Sequence, residues 1–122
     1  MNPCEIFEDF LRKSHLKNYD GEYYLVFPFF RPHEDDSVEI RLYSKEGELY
    51  ISDCGGSFRY LADRGVDREE YRERIDRIKR RFYLSEKDGE LYLRFPSPDP
   101  SSAEIFFGYF IQGISAISCV DA

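Results

Sequence analysis

The chain has no tryptophan, one methionine and two histidines, His15 and His33, in 122 residues. With so little imidazole, a histidine-built metal centre or a Cys–His nucleophile pair has few residues to draw on. Cysteine is scarce as well. Cys4, Cys54 and Cys119 are odd in number, form no C-x-x-C, and fit neither a disulfide framework nor a zinc spacing. The expectation is therefore no metal site and no cofactor. Long apolar runs are missing: nothing approaches the ~20 residues that span a bilayer. The acidic N-terminus does not read as a secretory leader. A cytoplasmic location is expected, with reduced thiols and no membrane partner.

Positive charge is in deficit. Seventeen Lys and Arg face 24 Asp and Glu, a net charge of −7. An acidic bulk argues against nucleic acid, whose non-specific binding needs a positive field. The deficit is uneven. Arg59 to Arg81 holds nine basic and six acidic residues, so the Arg68–Arg81 stretch is where nucleic-acid binding stays open.

Large apolar side chains are abundant. Ten Tyr and 11 Phe bring aromatics to 17%, and hydrophobic residues reach 42%. That is enough apolar surface to offset the entropy of folding. The length suits one domain over residues 1–122.

Along the chain, Asn2-Pro3-Cys4-Glu5 makes a helix start, and Ile6, Phe7, Phe10 and Leu11 follow helical spacing. This predicts a helix ending near His15 to Asn18, with a turn at Asp20-Gly21. "EYYLVFPFF" reads as a strand that ends, bulges or lies at an edge at Pro28. Arg31 to Ser37 reads as a polar loop. "VEIRLYS" alternates apolar and polar residues as a half-buried strand does, and "ELYIS" returns antiparallel after Glu46-Gly47.

A short helix is predicted over Ser57–Arg64, with Gly65 as its left-handed stop. Asp67 caps a second helix running to Arg81, with Tyr71, Ile75, Ile78 and Phe82 on one stripe. "FYLSEKDGELYLRF" is a hairpin about Asp88-Gly89. A final helix is predicted from about Pro100 to Ser118. Its expected stripe is Phe106, Tyr109, Phe110, Gly113, Ile114 and Ile117, with Ile105 nearby. This helix is apolar nearly all round, which predicts deep burial or an oligomer contact. The fold class is α+β: a mainly antiparallel sheet of about five strands with helices packed on it, in the order α-β-β-β-α-α-β-β-α.

The chemistry-bearing stretch is Asp53-Cys54-Gly55-Gly56, between a strand and a helix, with Arg59 close by. Amides at a helix start favour an anion and lower the pKa of a thiol. Asp53 would then serve as base or ligand. The simpler reading makes Asp53 a cap, Gly55 and Gly56 the residues that supply unusual backbone angles, and Cys54 a small filler. The simpler reading is preferred, and no catalytic residue is assigned.

"LYISDCGGSFRYLADRGVD", the Arg-rich helix, "YLSEKDGELYLRF" and "FGYFIQGISAIS" together resemble the domain-of-unknown-function family numbered 1828, which occurs in bacteria, archaea and mobile elements. The likeness covers about Tyr23 to Ser118. It implies a small α+β domain and no particular reaction. Asp53, Gly55, Leu61 and Gly65 match the family pattern. Cys54 stands where that pattern has a second Asp, which weakens a paired-carboxylate metal site.

Other clusters read as surface. Glu70–Arg74, Glu73–Arg77 and Asp76–Arg80 are acid-before-base pairs four apart, as a solvated helix face requires. The anion-binding alternative rests on Arg64, Arg77, Arg80 and Arg81. His33 to Asp36 reads as a solvated loop rather than a metal cluster. Tyr23, Tyr24, Tyr43, Tyr50 and Tyr92 place phenols on strands, interspersed with Glu22, Glu39, Glu48 and Glu90, which suits a protein interface better than base stacking. The expected function is a non-enzymatic protein-binding or regulatory module. Its partner would be another protein or a second copy, met through the Tyr-rich sheet or the final helix. The alternative is a phosphate- or nucleic-acid-processing enzyme built on the Asp53–Gly56 corner.

Overall fold

The computed structural model describes residues 15–19, 22–31, 34–96 and 100–122, with side chains over 39–96 and 102–122. The architecture is α+β, an antiparallel sheet with helices against it. Six strands lie in the order β1-β2-β3-β4-β6-β5, every neighbouring pair antiparallel. They are β1 His15–Tyr19, β2 Glu22–Arg31, β3 Glu34–Lys45, β4 Glu48–Ser52, β5 Ser85–Lys87 and β6 Glu90–Arg94. The helices are α1 Gly56–Asp63, α2 Arg72–Arg81 and α3 Pro100–Ser118, with a 3-10 turn at Arg68–Tyr71 before α2.

Two expectations at the N-terminal end are overturned. The start of the predicted first helix lies outside the described residues, but its predicted end does not: His15–Tyr19 is a strand. Asp-Gly between two short runs is a hairpin signal. Here Tyr19 pairs with Glu22 and His15 with Val26, so a strand ladder takes the residues expected to end the helix. The predicted loop from Arg31 to Ser37 is mostly strand, since β3 begins at Glu34 opposite Arg31. Glu34, Asp35 and Asp36 are thus ladder residues, while His33 lies outside the described residues. Pro28 lies beyond the described β1 ladder, which reaches Val26, and among the described residues β2 there pairs with β3, Pro28 opposite Ser37.

Alternation decides which face of the sheet is covered. Ile40, Leu42, Leu49, Ile51, Leu91 and Leu93 are buried, while Arg41, Tyr43, Tyr50 and Tyr92 between them are half-exposed. Phe58 and Leu61 of α1, Ile75 of α2, and Ala103, Phe107, Phe110, Ile114 and Ile117 of α3 join the same core cluster. Each buried Leu, Ile or Phe among them contributes roughly 1.5–3 kcal/mol. The α3 core stripe is therefore centred on Ala103, Phe107, Phe110, Ile114 and Ile117. Phe106 and Tyr109, predicted for that stripe, are half-exposed, and Ile105 is 55% exposed.

Both tight hairpins turn as their sequences predict. Glu46-Gly47 and Asp88-Gly89 have positive φ at both central residues, which matches the twist of the flanking strands. Gly65 (φ 73°) closes α1 as expected: its amide bonds to Ala62 O, and the Val66 amide to Leu61 O at 2.9 Å. The second helix departs from expectation. Asp67 does cap, accepting from the Glu69 amide at 3.0 Å, but the first turn is 3-10 and the α-helix starts at Arg72.

Candidate functional site

The Asp53 corner is built from a conflict over one carbonyl. The Asp53 amide donates to Leu91 O at 3.0 Å, continuing the β4–β6 ladder by one step. Its carbonyl does not continue the ladder, because it accepts from Gly56 N at 3.0 Å to close the turn. The side chain takes over. Asp53 Oδ1 accepts from the Leu91 amide at 3.0 Å and the Gly55 amide at 2.8 Å, and Oδ2 accepts from the Ser57 amide at 3.1 Å at the start of α1. One carboxylate thus fastens a strand end, a turn and a helix start.

Asp53 is 1% exposed. Burial pushes its carboxyl pKa above the ordinary value, against the pull of the Ser57 hydroxyl and of the Gly55, Ser57 and Leu91 amides. The carboxylate is enclosed and occupied by protein donors. Two of the three amides are held by Oδ1 and one by Oδ2.

Cys54 and Gly55 take the left-handed angles of this turn, φ 56° and 79°. This corrects the sequence reading, which gave that task to Gly55 and Gly56; Gly56 instead opens α1. The Cys54 amide donates to Ser52 Oγ at 3.0 Å. The Cys54 thiol is pushed up to about 12 by burial first, then by the charges of Glu39, Glu90 and Asp53. Helix-start amides do not produce a thiolate here, because desolvation and three carboxylates oppose it. Arg59 is exposed, and its Nη2 donates to the Cys54 carbonyl at 3.2 Å.

The four arginines of the anion-binding alternative do not converge. Arg64 reaches Asp121 with two hydrogen bonds, at 2.6 and 3.3 Å, tying the end of α1 to the segment after α3. Arg77 lines a shallow depression of about 640 Å³ in which Glu69, Glu70 and Glu73 alternate with Arg72 and Arg74. Arg80 and Arg81 are exposed at the end of α2, with Arg81 5.5 Å from the Phe82 ring. The predicted i,i+4 pairs are replaced by others. Lys79 meets Asp76 at 3.8 Å and Glu86 at 3.3 Å, Arg68 meets Glu86 at 2.7 Å, and Arg74 donates to Val120 O at 2.6 Å. Glu86, on β5, draws the cations of the 3-10 turn and α2 across to the sheet.

On the sheet face opposite the described core, Tyr43 and Tyr50 stack across β3 and β4 with centroids 5.2 Å apart and planes 11° apart. Tyr92 lies 6.2 Å from Tyr50, and Arg41 sits 4.2 Å above Tyr43. With Lys87 and Glu90 they line an open cleft of about 590 Å³. Glu90 there accepts from Ser52 Oγ and lies 3.4 Å from Arg41. Of the five tyrosines singled out in the sequence, the side chains of Tyr23 and Tyr24 lie outside those described.

A second aromatic group forms where the end of α2 meets α3. Tyr83 is 61% exposed; its ring centroid lies 5.5 Å from Phe106 and 5.7 Å from Tyr109, and those two rings are 5.4 Å apart, edge to face. Phe82 approaches Tyr109 at 6.5 Å. Tyr83 holds φ 60° at the left-handed stop of α2, and the next amide, Leu84 N, bonds to Lys79 O at 2.9 Å. Glycine ordinarily takes that position, because a Cβ there is strained. Sequence reasoning passed over Tyr83, although a helix ending in Phe-Tyr without glycine was a signal.

Among the described residues, no group of three His, Cys, Asp or Glu side chains is placed to hold a metal ion. No described helix is long and apolar enough to cross a membrane. Neither a family model, nor a curated protein, nor a solved structure matches this chain.

Proposed function

We propose that this chain is a non-enzymatic, cytoplasmic protein-binding or regulatory module, and that its working surface is the aromatic patch at the junction of α2 and α3. The observation that carries this reading is the exposure of Tyr83 (61%) and Ile105 (55%) beside Phe106 and Tyr109. Large rings that pack on one side and meet water on the other are the usual anchors of protein interfaces. The closed corner supports the same reading from the other direction: Asp53 is occupied by amides, and the Cys54 thiol is held protonated.

The resemblance to family 1828 is consistent with this view. Asp53, Gly55, Leu61 and Gly65 are bend and stop positions or core, so a shared pattern there describes a shared scaffold. An association with mobile elements would make defence or counter-defence a setting for such a module. The test places a photo-crosslinking amino acid at position 83 or at position 87 in cells that carry the protein. Position 83 is expected to give a discrete adduct and position 87 none. An adduct from position 87 alone would move the surface to the sheet cleft and refute this assignment.

A further inference from the structure

The geometry points to a small-molecule site in the cleft on the sheet face opposite the core, fitted to a zwitterion that carries a flat aromatic ring, as an aromatic amino acid does. This site is separate from the α2–α3 patch, and neither reading depends on the other. The cleft measures about 590 Å³, within the ~300–1,000 Å³ of small-molecule sites.

Its walls recognise the ring. Tyr43, Tyr50 and Tyr92 are half-buried on β3, β4 and β6, and all three line the cleft. The Tyr43 and Tyr50 planes lie 11° apart, and Tyr92 is inclined at 58° to Tyr50. Phenols carried on paired strands offer a flat ligand stacked or edge-to-face contact. The entropic cost is small, because a tyrosine has only two side-chain torsions.

Charge selects the rest of the ligand. Arg41, Lys45 and Lys87 line the cleft together with Glu46, Asp88 and Glu90, three cations against three carboxylates. The sequence shows acids among these tyrosines; the fold brings basic residues to the same place in equal number. A ligand of one sign meets as much repulsion as attraction there, which disfavours a nucleotide phosphate or a polyamine. A zwitterion finds a partner for each of its charges.

Arg41 and Glu90 lie 3.4 Å apart, and Glu90 also accepts from Ser52 Oγ, so these two are held in place. The other four are exposed and come in two pairs, Lys45-Glu46 and Lys87-Asp88, each at a hairpin turn. Among the described residues none of the four takes part in an ion pair. Each turn therefore presents an uncommitted cation and an uncommitted carboxylate to the cleft. Glu46 and Asp88 hold φ of 54° and 52° in two-residue turns, which match the twist of the strands they join.

The chain has no tryptophan, so the fluorescence of free L-tryptophan can be read apart from the protein. Equilibrium dialysis of the full chain against L-tryptophan is expected to show saturable binding with Kd below about 1 mM. Tryptamine lacks the carboxylate and indolepropionate lacks the ammonium; each is expected to bind about tenfold more weakly. Leucine, a zwitterion without a ring, is expected not to compete. Tyr92→Ala, and separately Lys45→Ala with Lys87→Ala, should each weaken tryptophan about tenfold with little change in melting temperature, since none of these side chains belongs to the core. In the double lysine variant a carboxylate loses partners, so tryptamine should bind more tightly than indolepropionate. Tyr83→Gly should leave tryptophan binding unchanged.

Binding of tryptamine or indolepropionate to the parent as tight as that of tryptophan overturns the inference, because one charge then suffices. Tighter binding of an adenine mononucleotide overturns it by naming an anion. No saturable binding of tryptophan up to about 10 mM, or binding lost in Tyr83→Gly and kept in Tyr92→Ala, removes the cleft as the site.

Discussion

Replacing Asp53 separates a bend from a reactive group. Asp53→Ala removes the acceptor of three amides, of which Ser57 N and Leu91 N are in buried bonds. A buried amide left without a partner costs ~1–3 kcal/mol. Two such amides set the scale at roughly 2–6 kcal/mol, and releasing a buried charge returns part of it. We expect a loss of about 3 kcal/mol, a large share of the ~5–15 kcal/mol that keeps a domain folded. At this chain length that lowers the melting temperature by about 12 °C. Asp53→Asn should cost less, about 1–2 kcal/mol. With its oxygen at the Oδ1 position it still accepts from Gly55 and Leu91, but its amide group then meets the Ser57 N–H donor to donor.

The same pair of proteins gives the pH dependence. Burial raises the Asp53 carboxyl above its unfolded value. Its contribution is therefore full below the unfolded pKa, near about 3.9, and declines as pH rises through the folded pKa. Asp53→Asn lacks that titration, so its deficit relative to the parent should narrow as pH rises from acid toward neutral. Urea denaturation of the parent and both variants across this range is the assay. A change under about 0.5 kcal/mol for Asp53→Ala, the level of an ordinary surface substitution, would refute the structural role argued for this carboxylate. A deficit that widens toward neutral pH would show that the amides outweigh desolvation.

Two further outcomes test the surroundings. With its thiol pushed up to about 12, Cys54 should resist iodoacetamide at pH 8 in the folded chain and react after unfolding, as read by peptide mass; fast labelling of the native protein would restore a nucleophilic corner. Gly113→Ala places a Cβ 2.7 Å from Leu84 Cδ1 and 3.0 Å from Phe82 Cβ, so it should destabilise by about 1–3 kcal/mol in thermal melts, and a neutral result would mean that this approach is not rigid.

The parts legible in the sequence are those with short-range causes. Glu46-Gly47, Asp88-Gly89 and Gly65 dictate their own backbone angles, and Ile40, Leu42, Ile51, Leu91 and Leu93 alternate visibly. What escaped depends on distant partners. β1 exists because β2 offers it an edge, and Glu34 to Asp36 are strand because β2 lies opposite. Of the pairs expected along α2, Arg74 is held instead by Val120 O beyond α3, and Glu86 on β5 takes up Lys79 and Arg68, contacts that helical spacing does not reveal. The corner was half legible. Its turn shows in the composition, but the transfer of a ladder bond from carbonyl to carboxylate needs Leu91, 38 residues away. The shift of the α3 stripe to Phe107 follows from which side the sheet occupies, which helical periodicity alone does not determine when the helix is apolar nearly all round.

The corner and the aromatic patch are parts of one mechanical path. Asp53 fixes Leu91 on β6; β6 pairs with β5, and β5 follows directly on Leu84. Leu84 is held from two further sides. Its amide bonds to Lys79 O at the end of α2, and its side chain lies against Gly113 of α3, where a Cβ would meet it at 2.7 Å. Tyr83 is the residue between that helix end and that clamped leucine, so the backbone that carries its exposed ring is fixed from both sides. A surface held this way loses little freedom on binding, and preorganisation of that kind raises affinity without added contact area. On the function proposed above, the enclosed carboxylate would serve recognition only through the backbone, by fixing Leu91 on β6, whose partner strand β5 follows Tyr83 and Leu84.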